Sequence, residues 1–198
     1  PGYPLHQVVM RKGTFAAGST GMTITLTGKT SHSAHPEAGI NPAQALARLI
    51  QELPYLPQEA TGFALLTLIH AELGSLAFGT SAGKGSLSMT LRAFDQQDLD
   101  SLIERVKGKA RIIAQSERLD VEFSFVEQFA VSVNDGDLYP LVENAAKKLG
   151  LSLVEKPEPF RWSEDFGLFS QVCPSFLFGL GAGENCPQLH EGTYDFPD

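Results

Sequence analysis

The sequence has few cysteines, no long apolar run and a deficit of basic residues, and each shortage excludes a class of protein. Two cysteines, Cys173 and Cys186, are too few for a disulfide framework and are typical of free thiols in a cytoplasmic protein. The longest apolar runs, such as residues 63–66, are far shorter than the roughly 18 residues that a membrane span needs. The 15 basic and 23 acidic residues give a formal net charge of −8, which disfavours a nucleic-acid partner. We therefore expect a cytoplasmic protein that binds neither a membrane nor a nucleic acid.

The remaining composition is that of an ordinary folded chain. Of the 198 residues, 42% are hydrophobic and 19% are charged, which argues against disorder and allows one large domain or two small ones. The chain starts without Met and stops at residue 198 without the pattern of a terminal helix. These features predict a piece of a longer protein.

The first two thirds of the chain alternate between strand and helix patterns. Met22, Ile24 and Leu26 alternate with threonines, which is typical of a half-buried strand. The patterns predict, in order, a strand at 21–28, a helix from Asn41 to Pro54, strands at 63–73 and 85–94, a helix at 96–117 and a strand at 120–129. This β-α-β-β-α-β order predicts an α+β domain of the ferredoxin-like type.

The pattern changes after residues 134–136. The sequence predicts a helix at 138–149 closed by Gly150, a candidate short strand at 151–154, a helix from Ser163 to about Val172, and a strand at 176–178 buried on both faces. Such β/α alternation is typical of an α/β sheet covered on both sides, but it contains too few strands to stand alone.

Two histidines are candidates for chemistry. His32 lies in a loop between a strand and a capped helix, where catalytic groups concentrate, although a loop histidine held by local hydrogen bonds is the alternative. His190 follows the glycine-rich residues 179–183, where ligand sites form in α/β sheets. Glu164 and Asp165 are either an acid/base pair or a charged first helical turn. The residues alone predict a possible histidine site and no specific reaction.

Four segments carry a resemblance to a known family. They are residues 28–36 (GKTSHSAHP), 39–42 (GINP), 163–166 (SEDF) and 188–190 (QLH). In this order they resemble the zinc metallopeptidases that include aminoacylases, hippurate hydrolases and auxin-conjugate amidohydrolases. The resemblance implies a catalytic α/β domain interrupted by a ferredoxin-like lid or dimerisation domain.

The resemblance also implies how the chain divides. Residues 1–18 would be the tail of the interrupted catalytic domain, 19–132 the lid, and 133–198 the C-terminal segment of the catalytic domain. The half that carries most metal ligands and the general-base glutamate is then absent. We expect this chain alone to be inactive and to hold no metal.

The resemblance assigns roles residue by residue. His190 resembles the last metal ligand of a two-zinc site, in which a metal-bound water attacks the amide carbonyl. His32 resembles the lid histidine that stabilises the oxyanion in the partner subunit's site. Arg92 resembles the arginine that binds the substrate carboxylate, although a surface strand charge is the alternative. Glu164 and Gly181 resemble residues that line the substrate site.

The implied function is hydrolysis of the amide bond of N-acyl amino acids or small peptides, in a homodimer formed through the lid. The alternative is a non-catalytic dimerisation or interaction module. The sequence departs from the family at Gly79, where many relatives have an asparagine that binds substrate. This departure leaves the substrate class open.

Overall fold

The computed structural model describes residues 1–195, so the last three residues of the predicted 133–198 segment lie outside the described residues. The strands are β1 (Val8–Met10), β2 (Gly13–Ala16), β3 (Gly18–Thr27), β4 (Ala64–Leu73), β5 (Lys84–Ala93), β6 (Asp120–Phe129), β7 (Ser132–Asn134), β8 (Leu153–Glu155) and β9 (Gly179–Leu180). The α-helices are α1 (Ala43–Glu52), α2 (Gln96–Ser116), α3 (Tyr139–Lys148) and α4 (Gly167–Ser170). Short 3-10 helices cover Pro36–Ala38 and Leu53–Glu59. Within residues 1–195 no helix is long and apolar enough to cross a membrane.

The chain forms two compact units. The sheet unit comprises residues 18–129, and the split unit comprises residues 1–17 together with the described residues from 130 onward. In the sheet unit the elements follow one another as β3, α1, β4, β5, α2 and β6. Its four strands form one sheet in the order β4-β5-β3-β6, and every neighbouring pair is antiparallel.

The sheet unit has one apolar face and one polar face because its strands alternate. On β3, Met22, Ile24 and Leu26 are almost fully buried, while the threonines between them lie on the opposite face. Opposite Thr23, Ser88 of β5 places its hydroxyl 2.9 Å from the Thr23 hydroxyl. The apolar face packs against buried side chains of α1 and α2, which together form the main core.

The helices of the sheet unit begin and end close to their predicted limits. Asn41 Oδ1 accepts a hydrogen bond from the Ala43 amide at 3.0 Å, so the asparagine satisfies a free N–H at the start of α1. Pro54 stops the α-helix, and the chain continues as the 3-10 helix Leu53–Glu59. Asp95 caps α2 by accepting hydrogen bonds from the first turn, at 2.8 Å from the Gln97 amide.

The split unit holds two small sheets. β1 pairs in parallel with β8 and antiparallel with β9, and β2 pairs antiparallel with β7. A small core forms where α3 packs its Ala146 against Val8 and Met10 of β1. Cys173 and Cys186 are both free.

The predicted helix from Ser163 to Val172 is wrong in its extent. α4 covers only Gly167–Ser170, and its N-cap is Phe166. A side chain on Gly167 would come within 2.2 Å of the Ala130 carbonyl oxygen, so the first residue of α4 packs tightly on the Ala130 backbone. Glu164 and Asp165 therefore lie in the turn before the helix.

The predicted strand at 176–178 is also wrong. The segment that pairs with β1 is β9, which is only two residues long and follows the predicted strand. Asn134 explains the difference, because its side chain accepts a hydrogen bond from the Leu177 amide at 2.6 Å and donates one to the Leu177 carbonyl at 2.8 Å. The backbone of Leu177 thus bonds to a side chain and not to a neighbouring strand, and Phe178 is 46% exposed.

Candidate functional site

His32 lies where two loops of the sheet unit cross. One loop joins β3 to α1 and the other joins β4 to β5, and His32 forms an isolated antiparallel bridge with Thr80. The Ser81 amide donates to the Ser31 carbonyl at 2.9 Å, and the Ser33 amide donates to the Gly79 carbonyl at 3.0 Å. His32 is exposed in spite of this support. The bridge thus holds the histidine at the surface on an ordered backbone.

The hydrogen bonding of the His32 ring determines which nitrogen can donate. Nδ1 accepts a hydrogen bond from the Ala34 amide at 3.1 Å. A neutral imidazole has one acceptor and one donor nitrogen, so the ring carries its proton on Nε2. The neighbouring His35 ring lies 6.1 Å away, and its Nδ1 lies 3.6 Å from Glu37 Oε1. His32 can therefore offer a hydrogen bond from Nε2 to an acceptor outside the loop.

Two glycines allow these loops to approach closely. A side chain on Gly28 would come within 2.1 Å of the Ile40 carbonyl oxygen, and one on Gly83 would come within 2.5 Å of the Thr30 amide nitrogen. The Gly28 amide also donates to the Gly83 carbonyl at 2.8 Å. Only glycine fits at these positions without a backbone shift.

A cavity of about 720 Å³ lies beside the crossing loops. Its lining residues include Thr80, Ser81, Lys29 and Lys84, with Glu72 as the acidic residue. The lysines and hydroxyl groups could hydrogen bond to a polar ligand. The sequence motifs contained Lys29 but did not identify Lys84. The two residues come together through the pairing of β3 with β5, which a local motif does not show.

Arg92 lies far from His32 in the same unit. It is half-buried near the end of β5, opposite Ser19 of β3 and Leu65 of β4. The His32 loops lie at the other end, next to Lys84, where β5 begins. Arg92 is eight positions along the strand from Lys84, which is about 26 Å at 3.3 Å per residue. One small substrate cannot contact both side chains of a single sheet unit.

Glu164 and Gly181 line one cavity of the split unit. This cavity measures about 320 Å³, and aromatic side chains form much of its wall: Tyr3, Phe160, Trp162 and Tyr194. Gly181 is buried, and a side chain there would come within 1.9 Å of the Pro4 carbonyl oxygen. The Gly181 amide donates to the Gln7 carbonyl at 2.8 Å. The backbone of Gly181 is thus fixed at the wall of the cavity, while the Glu164 side chain is exposed.

His190 does not itself line this cavity, although the preceding residue, Leu189, does. His190 is exposed and has a backbone φ of 73°, in the left-handed region that side chains rarely adopt. An exposed imidazole such as that of His190 could serve as a metal ligand. However, the described part of the chain contains no group of three or more His, Cys, Asp or Glu side chains that could hold a metal ion. These residues do not by themselves fit a metal centre.

The sequence around His6 gave no support for a functional role, but His6 also lines the cavity of the split unit. Its φ of 61° lies in the left-handed region, and its amide donates to the Gly181 carbonyl at 2.8 Å. No periodic pattern surrounds His6. Its position at the cavity follows from the hydrogen bond between residues 6 and 181, which the sequence does not indicate. Gly79, the position that departs from the family, has open space around it, since a side chain there would have no neighbour within 4 Å.

Comparison with known proteins gives consistent matches. Residues 16–117 match the family model described as a peptidase dimerisation domain. An N-acetyldiaminopimelate deacetylase of Lacticaseibacillus paracasei is 29% identical over 100% of this chain and 52% of its own length. An uncharacterised hydrolase of Staphylococcus saprophyticus is 26% identical over 95% of this chain and 49% of its own length. The chain thus spans about half the length of these curated relatives.

Solved structures share the fold at lower identity. A Bacillus subtilis protein described as a dinuclear metal binding peptidase superimposes with a TM-score of 0.78 and 20% identity, over 100% of this chain and 49% of its own. An aminobenzoyl-glutamate utilisation protein of Klebsiella pneumoniae gives a TM-score of 0.75 and 16% identity, over 86% of this chain and 44% of its own. At these identities the likeness establishes a common mixed α/β fold.

Proposed function

The chain belongs to the family of peptidase dimerisation domains, and we propose that it works within a metal-dependent amidohydrolase. The reaction is cleavage of the amide bond of N-acyl amino acids or small peptides. The family membership carries this proposal, and the similarity to a deacetylase along the whole chain supports it. Removal of an acetyl group from an amine is itself amide hydrolysis.

We assign residues 19–132 to a ferredoxin-like lid and dimerisation domain. The order of strands and helices and the fully antiparallel sheet β4-β5-β3-β6 support this assignment. Residues 1–18 and 133–198 are assigned to the interrupted catalytic domain. The pairing of β1 with both β8 and β9 supports a common unit for these distant segments.

The proposed dimer forms through β4. This edge strand exposes apolar side chains, of which Ile69 is 63% exposed and Leu73 is 43% exposed. An uncovered strand edge carries free backbone groups that a second copy can pair with. A dimer of this kind extends the four-stranded sheet across a two-fold axis.

His32 is proposed to act on the substrate of the partner subunit. Its exposed ring, with the proton on Nε2, could donate a hydrogen bond to the oxygen that becomes negative during amide hydrolysis. Arg92 is proposed to bind the substrate carboxylate through its guanidinium group. Because the two side chains lie at opposite ends of one sheet, we assign them to different active sites of the dimer.

Glu164, Gly181 and His190 are proposed to belong to the catalytic centre. The shared position of Glu164 and Gly181 at one cavity of the split unit supports a substrate-lining role for both. His190 is assigned as one metal ligand, with zinc as the expected metal. The remaining ligands would come from outside residues 1–195.

One observation favours a second candidate function for this chain by itself. The described residues bring no three potential metal ligands together. A chain that lacks a complete set of metal ligands among its described residues could serve dimerisation alone, as a non-catalytic module.

A hydrolysis assay distinguishes the two functions. We expect the corresponding longer protein to hydrolyse N-acyl amino acids and this chain alone to show no turnover. In the longer protein, His32→Ala should lower turnover about a hundred- to a thousand-fold with metal content unchanged. His190→Ala should instead lower metal content. No hydrolysis of any N-acyl amino acid by the longer protein would contradict the proposed reaction.

A mixing experiment tests the role of His32 across the dimer. A mixed dimer of His32→Ala and His190→Ala chains has one site with an intact metal ligand and an intact donor histidine. We expect the mixture to regain part of the activity. A mixture that forms mixed dimers and stays inactive would contradict the cross-subunit role.

A further inference from the structure

We propose that Ser81 is the positioning residue for His32, and that it keeps the histidine loop in the register that presents Nε2 as a donor. The proposal rests on the role proposed above for His32. It adds a residue that no sequence motif indicated, since Ser81 lies on a different loop.

The bridge between the two loops determines the faces of its side chains. The two backbone hydrogen bonds flank His32 and Thr80, one from Ser81 to Ser31 and one from Ser33 to Gly79. His32 and Thr80 are therefore a directly opposed, non-hydrogen-bonded pair, in which side chains lie closest together. Because successive residues of an extended segment face opposite sides, Ser31 and Ser81 lie on the face away from His32.

The two serines are joined by their hydroxyl groups on that opposite face. The Oγ atoms lie 2.8 Å apart, and Ser81 Oγ also accepts a hydrogen bond from the Ser31 amide at 3.1 Å. With the backbone bond at 2.9 Å, Ser81 makes three hydrogen bonds to Ser31. Both serines are only partly exposed, so water competes less with these bonds than at the open surface.

The serine pair adds to the register of a short bridge, beyond the support that the hydrogen bond from the Gly28 amide to the Gly83 carbonyl gives. A slip of one residue would turn every side chain of the segment to the opposite face, and His32 with it. Two backbone hydrogen bonds exchange readily for bonds to water, whereas the hydroxyl pair forms only when Ser31 and Ser81 are opposed. Ser81 thus helps to specify which face His32 occupies.

The pairing of Ser31 with Ser81 affects the His32 ring through the backbone. Residues 31 and 33, on either side of His32, are held by the bridge, and the turn that follows places the Ala34 amide on Nδ1. If the turn loosens, Nδ1 loses this donor, and the neutral ring can carry its proton on either nitrogen. The position of the ring proton therefore reports whether Ser81 holds the loop.

Nitrogen NMR of the His32 ring in this chain, in buffer of about pH 8, tests the proposal. In the parent chain we expect two well-separated ¹⁵N shifts, with the proton on Nε2. Ser81→Ala should bring the two shifts together and should accelerate hydrogen exchange of the Ser33 amide about tenfold, the equivalent of about one hydrogen bond. Ser81→Thr keeps the hydroxyl group and should retain the parent pattern.

Two further variants separate positioning from a general loss of structure. Ser75→Ala removes an exposed hydroxyl group from the same loop and should change neither signal. Ser31→Ala removes the hydroxyl pair but leaves Ser81 Oγ bonded to the residue 31 amide, so it should shift the same signals by less. This variant keeps the test decisive if Ser81→Ala disturbs the fold.

The proposal is overturned if Ser81→Ala leaves the ring shifts unchanged, or if Ser75→Ala changes them as much. It is also overturned if Ser31→Ala leaves both signals unchanged. Turnover of the longer protein tests the role of His32 separately. Normal turnover in His32→Ala would contradict the proposed function and leave the positioning by Ser81 intact.

Discussion

The two edges of the four-stranded sheet differ in the side chains that they present. The β4 edge exposes Leu65, Ile69 and Leu73, and its ionisable residues are His70 and Glu72. The β6 edge begins with Asp120 and carries acidic side chains at 122 and 127. Charge on an edge strand discourages pairing with another chain, whereas a long apolar edge invites it. The comparison favours β4 as the edge of the proposed dimer.

Both edge strands are irregular, so the contrast between them rests on their side chains and not on their backbones. Its register with β3 shifts, so that Ser19 pairs with Phe129 but Gly21 pairs with Val126. Glu127, which lies in this irregular stretch, has a φ of 50° in the left-handed region. A bulge bends and twists a strand away from the straight edge that pairing requires. β4 also contains a register shift, between Leu68 and His70, and Ile69 stands exposed at that point.

A charge on β4 is the largest expected disturbance of dimerisation. Ile69→Lys places a cation on the apolar edge, and in a two-fold dimer the cation is present on both chains. We expect the dimer dissociation constant to rise about a hundredfold, the effect of losing one strong contact of about 2–3 kcal/mol. Analytical ultracentrifugation over a range of concentrations measures this change.

Val126→Lys is the matched control, because Val126 is 62% exposed on β6 and Ile69 is 63% exposed on β4. This variant should dimerise like the parent chain. If Val126→Lys weakens the dimer more than Ile69→Lys does, the assignment of the two edges is reversed. A parent chain that stays monomeric at high concentration would contradict the proposed dimer itself.

Long strands and helices could be predicted from the sequence because their patterns are local. The alternation of Met22, Ile24 and Leu26 marks the buried face of β3, and the apolar spacing of α2 gives nearly its full length. The match to the peptidase dimerisation family confirms the resemblance inferred from the motifs. The cytoplasmic location, the domain limits and the roles of the site residues stay predictions.

Short elements could not be predicted because distant partners create them. β1 has three residues and pairs with β8, more than 140 positions later in the chain. The Leu177 backbone hydrogen bonds to the Asn134 side chain. The strand that the apolar sequence at 176–178 predicts therefore does not form. The motif around His32 likewise identified the histidine but not Ser81, which is 50 residues from its hydrogen-bond partner Ser31.

Removing the charge from β6 should weaken the contrast between the two edges. The double variant Glu122→Val and Ser124→Val gives β6 an apolar, strand-forming sequence on the face that is not covered by the helices. We expect β6 to become a second pairing edge. Assemblies larger than dimers should then appear at a concentration about tenfold lower than in the parent chain. Light scattering across a concentration series measures this onset.

Glu122→Lys with Ser124→Lys is the control, since it changes the same positions but keeps the edge charged. It should show the assembly state of the parent chain. Large assemblies in both variants, or in neither, would mean that charge on β6 does not keep this edge unpaired.

Gly21→Ala should affect β6 through its packing on β3. A side chain at Gly21 would lie 2.8 Å from Val126 Cγ2 and 3.2 Å from the Val126 carbonyl oxygen. The strand must shift to accept it, so we expect the free energy of unfolding to fall by about 1 kcal/mol. Urea unfolding followed by circular dichroism measures the loss.

Val126→Ala in the Gly21→Ala background shortens the opposing side chain and should recover part of this loss. Dimerisation through β4 should stay unchanged in both variants, because β4 and β6 are opposite edges. A dimer association constant that falls in Gly21→Ala would indicate that β6 takes part in the interface.

The smallest expected effect concerns Glu52, which joins the two helices behind the sheet without contributing to either edge. Its carboxylate lies 2.6 Å from Lys109 Nζ of α2 and 3.3 Å from Arg48 Nε of α1. The hydrogen bond from Lys109, with that from Arg48, lowers the pKa of Glu52 despite the opposing effect of desolvation. A carboxyl group whose pKa is lower in the folded state stabilises the fold above its unfolded pKa, about 4.3, and loses that contribution as pH falls through the folded value. The free energy of unfolding of Glu52→Gln should therefore be slightly below that of the parent chain at pH 7, and the difference should disappear in acid.

Glu104→Gln is the control for this pH dependence. Glu104 pairs with Lys107 at 2.6 Å within α2, and this hydrogen bond lowers its pKa in the same direction. Because that pair lies within one helix, we expect Glu104→Gln to lower stability at pH 7 less than Glu52→Gln does. Urea unfolding at pH 7 and at about pH 3 compares the two variants above and below the unfolded pKa. Both should dimerise as the parent chain does, since neither touches β4. A difference for Glu52→Gln that grows in acid would contradict the lowered pKa, and a weakened dimer would show that the interface extends from β4 onto the helices.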